Sequence, residues 1–284
     1  MVGKDARASR LEPRTDLMSD HSPILMLGAG RLGGALIEGW TLTAAFAPAD
    51  ILIRDPQPGE AALAAAAAGA ALNPTEAELK RARTVLLAVK PQVWREAAAA
   101  VAPLVSEDAT IVSVAAGVKA GDVSEAFGRP VARVMPITAV AVAKGAGAVF
   151  SANERARAAA HALFDPVGTL VDVGDEAMMD AVTGICGSAP AYLYAFTEAL
   201  EAAGEAEGLA PEVARALARA TMAGAAALMS ASGEEPAELR RQVTSPNGTT
   251  EAALKVLMGE DGLGPLLRKA VAAATNRSRE LSKT

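Results

Sequence analysis

The sequence predicts an α/β domain over residues 23–174, followed by an all-α domain over residues 175–284. The chain has 284 residues and is longer than most single domains, so two hydrophobic cores are expected. Up to residue 174, short apolar runs without period-two alternation recur between helical patterns, which is typical of parallel strands buried on both faces. From Asp175 onward the strand signals stop and long helical patterns replace them.

Composition narrows the class of protein. Apolar residues make up 51% of the chain and the net charge is -6, which argues against disorder and against a general attraction to nucleic acid or anionic membranes. The single cysteine, Cys186, rules out an internal disulfide, and with only His21 and His161 we expect no metal site. Residues 1–22 hold no apolar run typical of a signal peptide, so we predict a disordered tail on a cytoplasmic protein.

A glycine-rich turn follows the first apolar run. Residues 24–27 lead into GAGRLG at residues 28–33, and an apolar helical pattern begins at Leu36. Strand, glycine turn and helix are the context that a dinucleotide-binding fingerprint requires, with glycines for the tight turn, for approach of a pyrophosphate and for close packing of helix on strand. We therefore predict a Rossmann domain whose cofactor-binding turn comprises Gly28, Ala29, Gly30, Arg31, Leu32 and Gly33.

The second predicted strand, residues 50–53, ends where a ribose-binding residue belongs. Asp55 suits the free 2′-hydroxyl of NAD, whereas Arg54 could hold the 2′-phosphate of NADP, and either could be an ordinary loop charge. Lys90, after another strand, could contact phosphate or ribose, or be a solvated lysine. The further predicted strands span residues 84–89, 110–114, 131–134, 145–151 and 169–173.

Long helical patterns fill the second domain. Pro190 should kink or restart the first helix. The nearly uncharged stretch 222–229 is too apolar for a solvent-facing helix, so we expect it to be buried in a core or in a dimer interface. The predicted helices span residues 176–208, 211–232, 236–244, 249–258 and 263–281.

A polar turn lies between two of these helices, at residues 245–250, SPNGTT. Hydroxyl side chains and a flexible Asn-Gly pair precede a helix start, where backbone amides lack internal partners and the helix dipole favours anions. The stretch fits a site for a small carboxylate. It also fits a plain capped turn with Thr249 or Thr250 as the N-cap.

These motifs occur in the order found in one enzyme family. They are GAGRLG at 28–33, AVKP at 88–91, SVAAGV at 113–118, RVMP at 133–136, VTGICGSAPAY at 182–192 and SPNGTTEAAL at 245–254. From about residue 24 to the C-terminus the chain resembles pyrroline-5-carboxylate reductase. The resemblance implies a Rossmann domain, a helical domain that interlocks with its twin in a dimer, and often a ring of dimers.

The resemblance also implies site residues. Thr250 is the implied catalytic residue, because its hydroxyl approaches the ring nitrogen of the substrate while the turn holds the carboxylate. The implied substrate-binding residues, with the turn included, are Glu176, Ser245, Asn247, Gly248, Thr249 and Thr250. Besides residues 28–33, the expected cofactor-binding residues are Arg54, Asp55, Thr75, Ala88, Val89, Lys90, Pro91, Val114, Ala115 and Ala116. The chain departs from the family's usual residues at Ile137, Ala139, Ala189 and Asn247, which stand where Asn, Pro, Gly and Gly are usual.

The implied reaction is hydride transfer from NAD(P)H, with NADP(H) favoured over NAD(H), to the C=N bond of 1-pyrroline-5-carboxylate, giving L-proline in the last step of proline biosynthesis. A cyclic imine is already electrophilic, so orientation matters more than a strong general acid. Three alternatives stay open: a reductase of a related cyclic imino acid, a β-hydroxyacid dehydrogenase, and a non-catalytic dinucleotide-binding protein. The dehydrogenase needs a lysine early in the helical domain, and none occurs between Lys144 and Lys255.

Overall fold

The computed structural model describes residues 20–282, so most of the predicted tail, residues 1–19, lies outside the described part. The described residues divide into two compact units, one of residues 20–182 with 279–282 and one of residues 183–278. The division falls later than the predicted boundary at residue 174. Residues 175–182 belong with the sheet, since Met179 is fully buried and Glu176 forms an ion pair with Arg133 of a strand.

The first unit contains an eight-stranded sheet with the order β3-β2-β1-β4-β5-β6-β7-β8. All neighbouring strands are parallel except β6 and β7, which are antiparallel. The seven predicted strands are present with ends that differ by at most two residues from the prediction, and the two-residue β3 was not predicted. The strands are β1 Ile24–Leu27, β2 Ile51–Arg54, β3 Ala71–Leu72, β4 Thr84–Leu87, β5 Thr110–Ser113, β6 Val131–Pro136, β7 Gly145–Phe150 and β8 Gly168–Asp172.

Helices of the first unit pack on the sheet and create a core on each face. Successive residues of a strand point to opposite faces, so Ile24 and Met26 join one core while Leu25 and Leu27 join the other. The fully buried Trp40 donates its indole N–H to the Leu163 carbonyl at 2.8 Å. The helices are α1 Arg31–Thr43, α2 Glu60–Ala67, α3 Glu76–Leu79, α4 Trp94–Val101, α5 Ala120–Phe127, α6 Glu154–Phe164 and α7 Met179–Val182.

The second unit, as far as it is described, consists of helices. The predicted helix over 176–208 is interrupted more than the expected kink or restart at Pro190 implies: the segment passes from a 3-10 turn, Glu176–Met178, through α7 into a π-helix, Thr183–Gly187, before α8 begins. The predicted restart is confirmed, because Pro190 lies in the first turn of α8, where a missing N–H removes no helical bond. The remaining helices are α8 Ala189–Ala206, α9 Pro211–Ser232, α10 Pro236–Gln242, α11 Thr249–Leu257 and α12 Leu263–Leu281.

Small residues let α8 and α9 approach closely, and a Cβ added at Gly204 would lie 3.2 Å from the Ala214 side chain. Much of their apolar surface nevertheless stays exposed in the single chain. Leu217 is 55% exposed, and Leu228 and Met229 are 58% and 46% exposed. Of the two alternatives expected for 222–229, burial in a core or in a dimer interface, the structure excludes the core of the single chain for Leu228 and Met229. Among residues 20–282, no helix is long and apolar enough to cross a membrane.

Candidate active site

The predicted cofactor residues of the first unit meet at one edge of the sheet. Leu27 is in register with Arg54 on one side and with Leu87 on the other, and Leu87 is in register with Ser113. The ends of these four strands and the residues directly after them include the predicted positions 28–33, 54–55, 88–91 and 114–116. The structure thus brings these positions together at the carboxyl edge, where open α/β sheets bind ligands.

Two glycines of the turn are required by close approach of the backbone. Gly28 has φ +88°, and a Cβ there would lie 3.0 Å from the Ala88 carbonyl oxygen. A Cβ at Gly33 would lie 2.4 Å from the Gly28 carbonyl oxygen, so α1 could not pack against the turn with any larger residue. A Cβ at Gly30, by contrast, would meet open space. Gly30 is also the N-cap of α1 and supplies no capping side chain, so the first amides of this helix are suited to a pyrophosphate.

The Asp55 carboxylate accepts hydrogen bonds from backbone amides at and near this turn. Its Oδ2 accepts the Ala29 N–H at 2.7 Å, and its Oδ1 accepts the Gln57 N–H at 2.8 Å. The Asp55 N–H in turn donates to Asn73 Oδ1 at 3.1 Å, and Asn73 has a left-handed φ of +49°. Both carboxylate oxygens therefore already have a donor. Asp55 ties the end of β2 to the glycine turn, a contact that the sequence pattern could not reveal.

Thr75 and Arg54 flank the same edge in different ways. Thr75 is the N-cap of α3, where its hydroxyl and amide both lie 2.8 Å from Glu78 Oε2 and its Oγ1 accepts the Glu78 N–H in return. These hydrogen bonds lower the pKa of the Glu78 carboxyl. The hydroxyl of Thr75 thus serves a capping box. Arg54 is half-buried at the end of β2, and no ion pair of its side chain occurs among the described residues.

The remaining positions of this edge extend the strand ladders. Ala88 donates its N–H to the Leu27 carbonyl at 2.8 Å, and Val114 donates to the Leu87 carbonyl at 3.1 Å. After these bonds the chain turns outward, and Lys90, Pro91 and Ala116 are exposed. The edge therefore offers small side chains and open backbone close to the strands, with a cation farther out.

The turn at residues 245–250 belongs to the second unit. Gly248 donates its N–H to the Ser245 carbonyl at 3.0 Å, which closes the turn, and Gly248 is the N-cap of α11. The interpretation of Thr249 or Thr250 as N-cap is wrong, because these are the first two residues of the helix and no side chain caps it. The first amides of α11, a helix of 9 residues, stay available to an anion.

Glu176 belongs to the first unit, where its Oε1 accepts two donors. Arg133 Nη1 lies at 3.0 Å and the Ala120 N–H, at the start of α5, lies at 2.7 Å. The Arg133 side chain is only 5% exposed, and its Nη2 is buried without a hydrogen-bond partner. The geometry gives Glu176 a structural role in joining β6, α5 and the following segment.

Comparison with known proteins identifies the family. Residues 176–281 match the sequence model described as pyrroline-5-carboxylate reductase dimerisation, and residues 23–117 match that of the coenzyme F420-dependent NADP oxidoreductases. The pyrroline-5-carboxylate reductase of Pseudomonas aeruginosa is 40% identical over 269 residues, covering 92% of this chain and 97% of the relative. The chain belongs to the pyrroline-5-carboxylate reductase family. The Pisum sativum enzyme of the same name is 34% identical over 94% of this chain and 98% of its own.

Solved structures of the pyrroline-5-carboxylate reductase family agree with the fold. A pyrroline-5-carboxylate reductase from Coxiella burnetii, 30% identical, superposes with a TM-score of 0.85 and covers 93% of this chain and 100% of its own. The Plasmodium falciparum pyrroline carboxylate reductase, with NADP bound, has a TM-score of 0.76 at 23% identity, covering 93% of this chain and 99% of its own. The predicted order, a Rossmann domain followed by an all-α domain, is confirmed.

Three residues near the family's motifs were missed by the sequence reasoning. Asn73 supports Asp55, Arg133 supports Glu176, and Glu251 contacts the 245–250 turn through the Asn247 amide. Only Glu251 had a signal in the sequence, since an acidic residue in the first turn of a helix often reaches back to amides before it. Ile137, the departure from the family's usual Asn, directly follows β6 and donates its N–H to the Ala146 carbonyl at 2.9 Å.

Proposed function

We propose that the chain reduces the C=N bond of 1-pyrroline-5-carboxylate to give L-proline, using NAD(P)H. The observation that carries the proposal is the 40% identity, over 97% of its length, to an enzyme named for this reaction. The glycine turn at 28–33 and the SPNGTT turn agree with it, apart from Asn247, which stands where the family usually has Gly. The β-hydroxyacid dehydrogenase alternative lacks its lysine between Lys144 and Lys255.

The residues of the first unit fit a dinucleotide. A pyrophosphate fits the glycine turn for three reasons. There is open space at Gly30, close backbone contacts require glycine at positions 28 and 33, and no side chain caps the start of α1. When bound, the reduced nicotinamide supplies the hydride. The glycine turn and the residues after the strand ends, 88–91 and 114–116, would hold and orient the dinucleotide.

The 2′-phosphate of NADP is the group that Arg54 suits best. Asp55, which would accept a hydrogen bond from the free 2′-hydroxyl of NAD, has both oxygens on backbone amides. Arg54 ends the strand beside the glycine turn and can pair with a phosphate. We therefore favour NADPH over NADH as the reductant.

The carboxylate of the substrate is assigned to the 245–250 turn. The uncapped amides at the start of α11 and the hydroxyls of Ser245 and Thr249 offer donors to an anion. Thr250, half-buried one residue farther on, offers a hydroxyl to the ring nitrogen, where charge changes during reduction. Glu176 remains a proposed substrate residue through its Oε2 alone, because Oε1 is taken by Arg133 and Ala120.

Assembly and location complete the proposal. The dimerisation family match over residues 176–281 and the exposed apolar residues of α9 support a homodimer, and we extend this to a ring of dimers. A single cysteine suits a reducing compartment, and we assign the protein to the cytoplasm.

A turnover assay tests the function. Purified protein is mixed with NADPH or NADH and with 1-pyrroline-5-carboxylate or its six-membered-ring homologue, and oxidation of the cofactor is followed by absorbance. We expect turnover with the five-membered imine and a higher kcat/KM for NADPH. Faster turnover of the six-membered imine would identify a reductase of a related imino acid. Cofactor binding without turnover of either imine would identify a non-catalytic binding protein.

A further inference from the structure

A carboxylate of the chain itself already lies on the 245–250 turn. Glu251, the third residue of α11, accepts the Asn247 N–H with its Oε2 at 2.5 Å. Its other oxygen, Oε1, lies 3.3 Å from the Lys255 ammonium, one helical turn farther along. Both oxygens are thus engaged, and the side chain is only 34% exposed. The Glu251 carboxylate is therefore held by the turn through Asn247 and by its own helix through Lys255.

The amide that Glu251 holds belongs to a residue in an uncommon conformation. Asn247 has φ +59°, in the left-handed region, which asparagine tolerates better than most residues but glycine adopts more readily. A hydrogen bond from an amide to an ionised carboxylate is among the stronger ones. The contact therefore favours the left-handed conformation of Asn247 over extended alternatives, which would carry its N–H away from Glu251.

The conformation at Asn247 decides which amides of the turn are open. Gly248 follows it directly and donates its N–H to Ser245, and a Cβ on Gly248 would come within 3.0 Å of that same carbonyl oxygen. With Asn247 and Gly248 both occupied internally, the amides of Thr249 and Thr250 are left for an incoming anion. Lys255 offsets the negative charge of Glu251, which reduces its repulsion of a second carboxylate at the turn.

We propose that Glu251 is a positioning residue for the substrate carboxylate: through the Asn247 amide it locks the 245–250 turn in the form whose Thr249 and Thr250 amides receive the substrate. The inference rests on the proposed function for the identity of the carboxylate. The turn of this chain needs Glu251 because residue 247 is asparagine, which adopts the left-handed conformation less readily than glycine.

The kinetic test compares Glu251→Ala and Glu251→Gln with Glu260→Ala, a control at an exposed glutamate outside the turn. Losing a hydrogen bond to a charged group should raise KM for the imine roughly tenfold in Glu251→Ala. KM for NADPH should stay within about twofold, because the glycine turn is untouched. Glu251→Gln, which keeps an acceptor, should recover most of the affinity, and the control should behave as the wild type. An unchanged KM for the imine in Glu251→Ala would overturn the proposal.

A second substitution separates positioning from general stability. Adding Asn247→Gly to Glu251→Ala should restore much of the lost imine affinity, because glycine enters the left-handed region without help. A merely structural role for Glu251 would lower the melting temperature and kcat without a selective rise in KM for the imine, and glycine at position 247 would not rescue it. That pattern would also overturn the proposal.

Amide hydrogen exchange provides a readout that does not depend on turnover. The Asn247 amide should exchange at least several-fold faster in Glu251→Ala than in the wild type or in Glu260→Ala. L-Proline binding, followed by calorimetry, should weaken about tenfold in Glu251→Ala. Wild-type protein that neither turns over the imine nor binds proline would refute the proposed function, while faster Asn247 exchange would still support the lock. Equal exchange in all three proteins would refute the lock itself.

Discussion

At the scale of single residues, a substitution of Thr250 tests whether its hydroxyl acts in catalysis or only stabilises the start of α11. Gly248 caps α11, so Thr250→Val should leave stability unchanged while it removes the hydrogen bond that we propose between this hydroxyl and the substrate nitrogen. We expect kcat/KM to fall roughly ten- to a hundredfold, with NADPH affinity within about a factor of two. Steady-state kinetics and thermal melts check this. A near-normal kcat/KM in Thr250→Val would show that the Thr250 hydroxyl has no role in catalysis.

Arg54 gives a second prediction at this scale, on the choice of cofactor. Arg54→Ala should raise KM for NADPH about tenfold or more and change KM for NADH little, because only NADPH has a phosphate for the guanidinium to pair with. Arg81→Ala, an exposed arginine outside the carboxyl edge, is the control. Initial rates with both cofactors measure the effect. If both KM values rise equally, Arg54 does not select the cofactor.

At the scale of elements, the ion pair between Arg133 and Glu176 joins strand β6 to the segment that follows β8. Arg133→Met leaves the Glu176 carboxylate without its charged partner, so the free energy of unfolding should fall by about 3 kcal/mol. Arg157→Met, which breaks exposed pairs with Glu154 and Asp172, should cost less than about 1 kcal/mol. Urea unfolding at neutral pH compares them. If the free energy of unfolding falls equally in both variants, burial does not make the ion pair of Arg133 more stabilising than an exposed pair.

Elements also show where prediction from sequence works. The apolar strands of four to six residues and the strand, glycine turn and helix unit were predictable, because burial and turn geometry depend on near neighbours in the sequence. The two residues of β3 are too few for any pattern. The π-helix at Thr183–Gly187 lies inside a longer helical pattern, and residue spacing does not distinguish one turn of π-helix from α-helix. At the candidate site the sequence could predict which residues follow the strand ends. The contacts of Asp55 with Ala29 and of Glu176 with Arg133 depend on distances between elements, which residue spacing does not encode.

For the whole molecule, the exposed apolar surface of α8 and α9 predicts assembly. We expect at least a dimer by light scattering at micromolar concentration, and a melting temperature that rises with protein concentration. Leu228→Glu should weaken the dimer, because Leu228 is 58% exposed in the single chain and an interface would bury the new charge. Glu260→Ala serves as the control. A fully active monomeric wild type would contradict this prediction.

The hydrogen bond from Ala29 to Asp55 also constrains any redesign of the cofactor preference. The acidic residue at the end of the second strand is a natural position to exchange when an enzyme is to be switched between NADH and NADPH. Here that carboxylate supports the glycine turn, so replacing it should loosen the turn that we propose to bind the pyrophosphate of either cofactor. Engineering of this protein therefore has to begin at Arg54 and leave its neighbour in place.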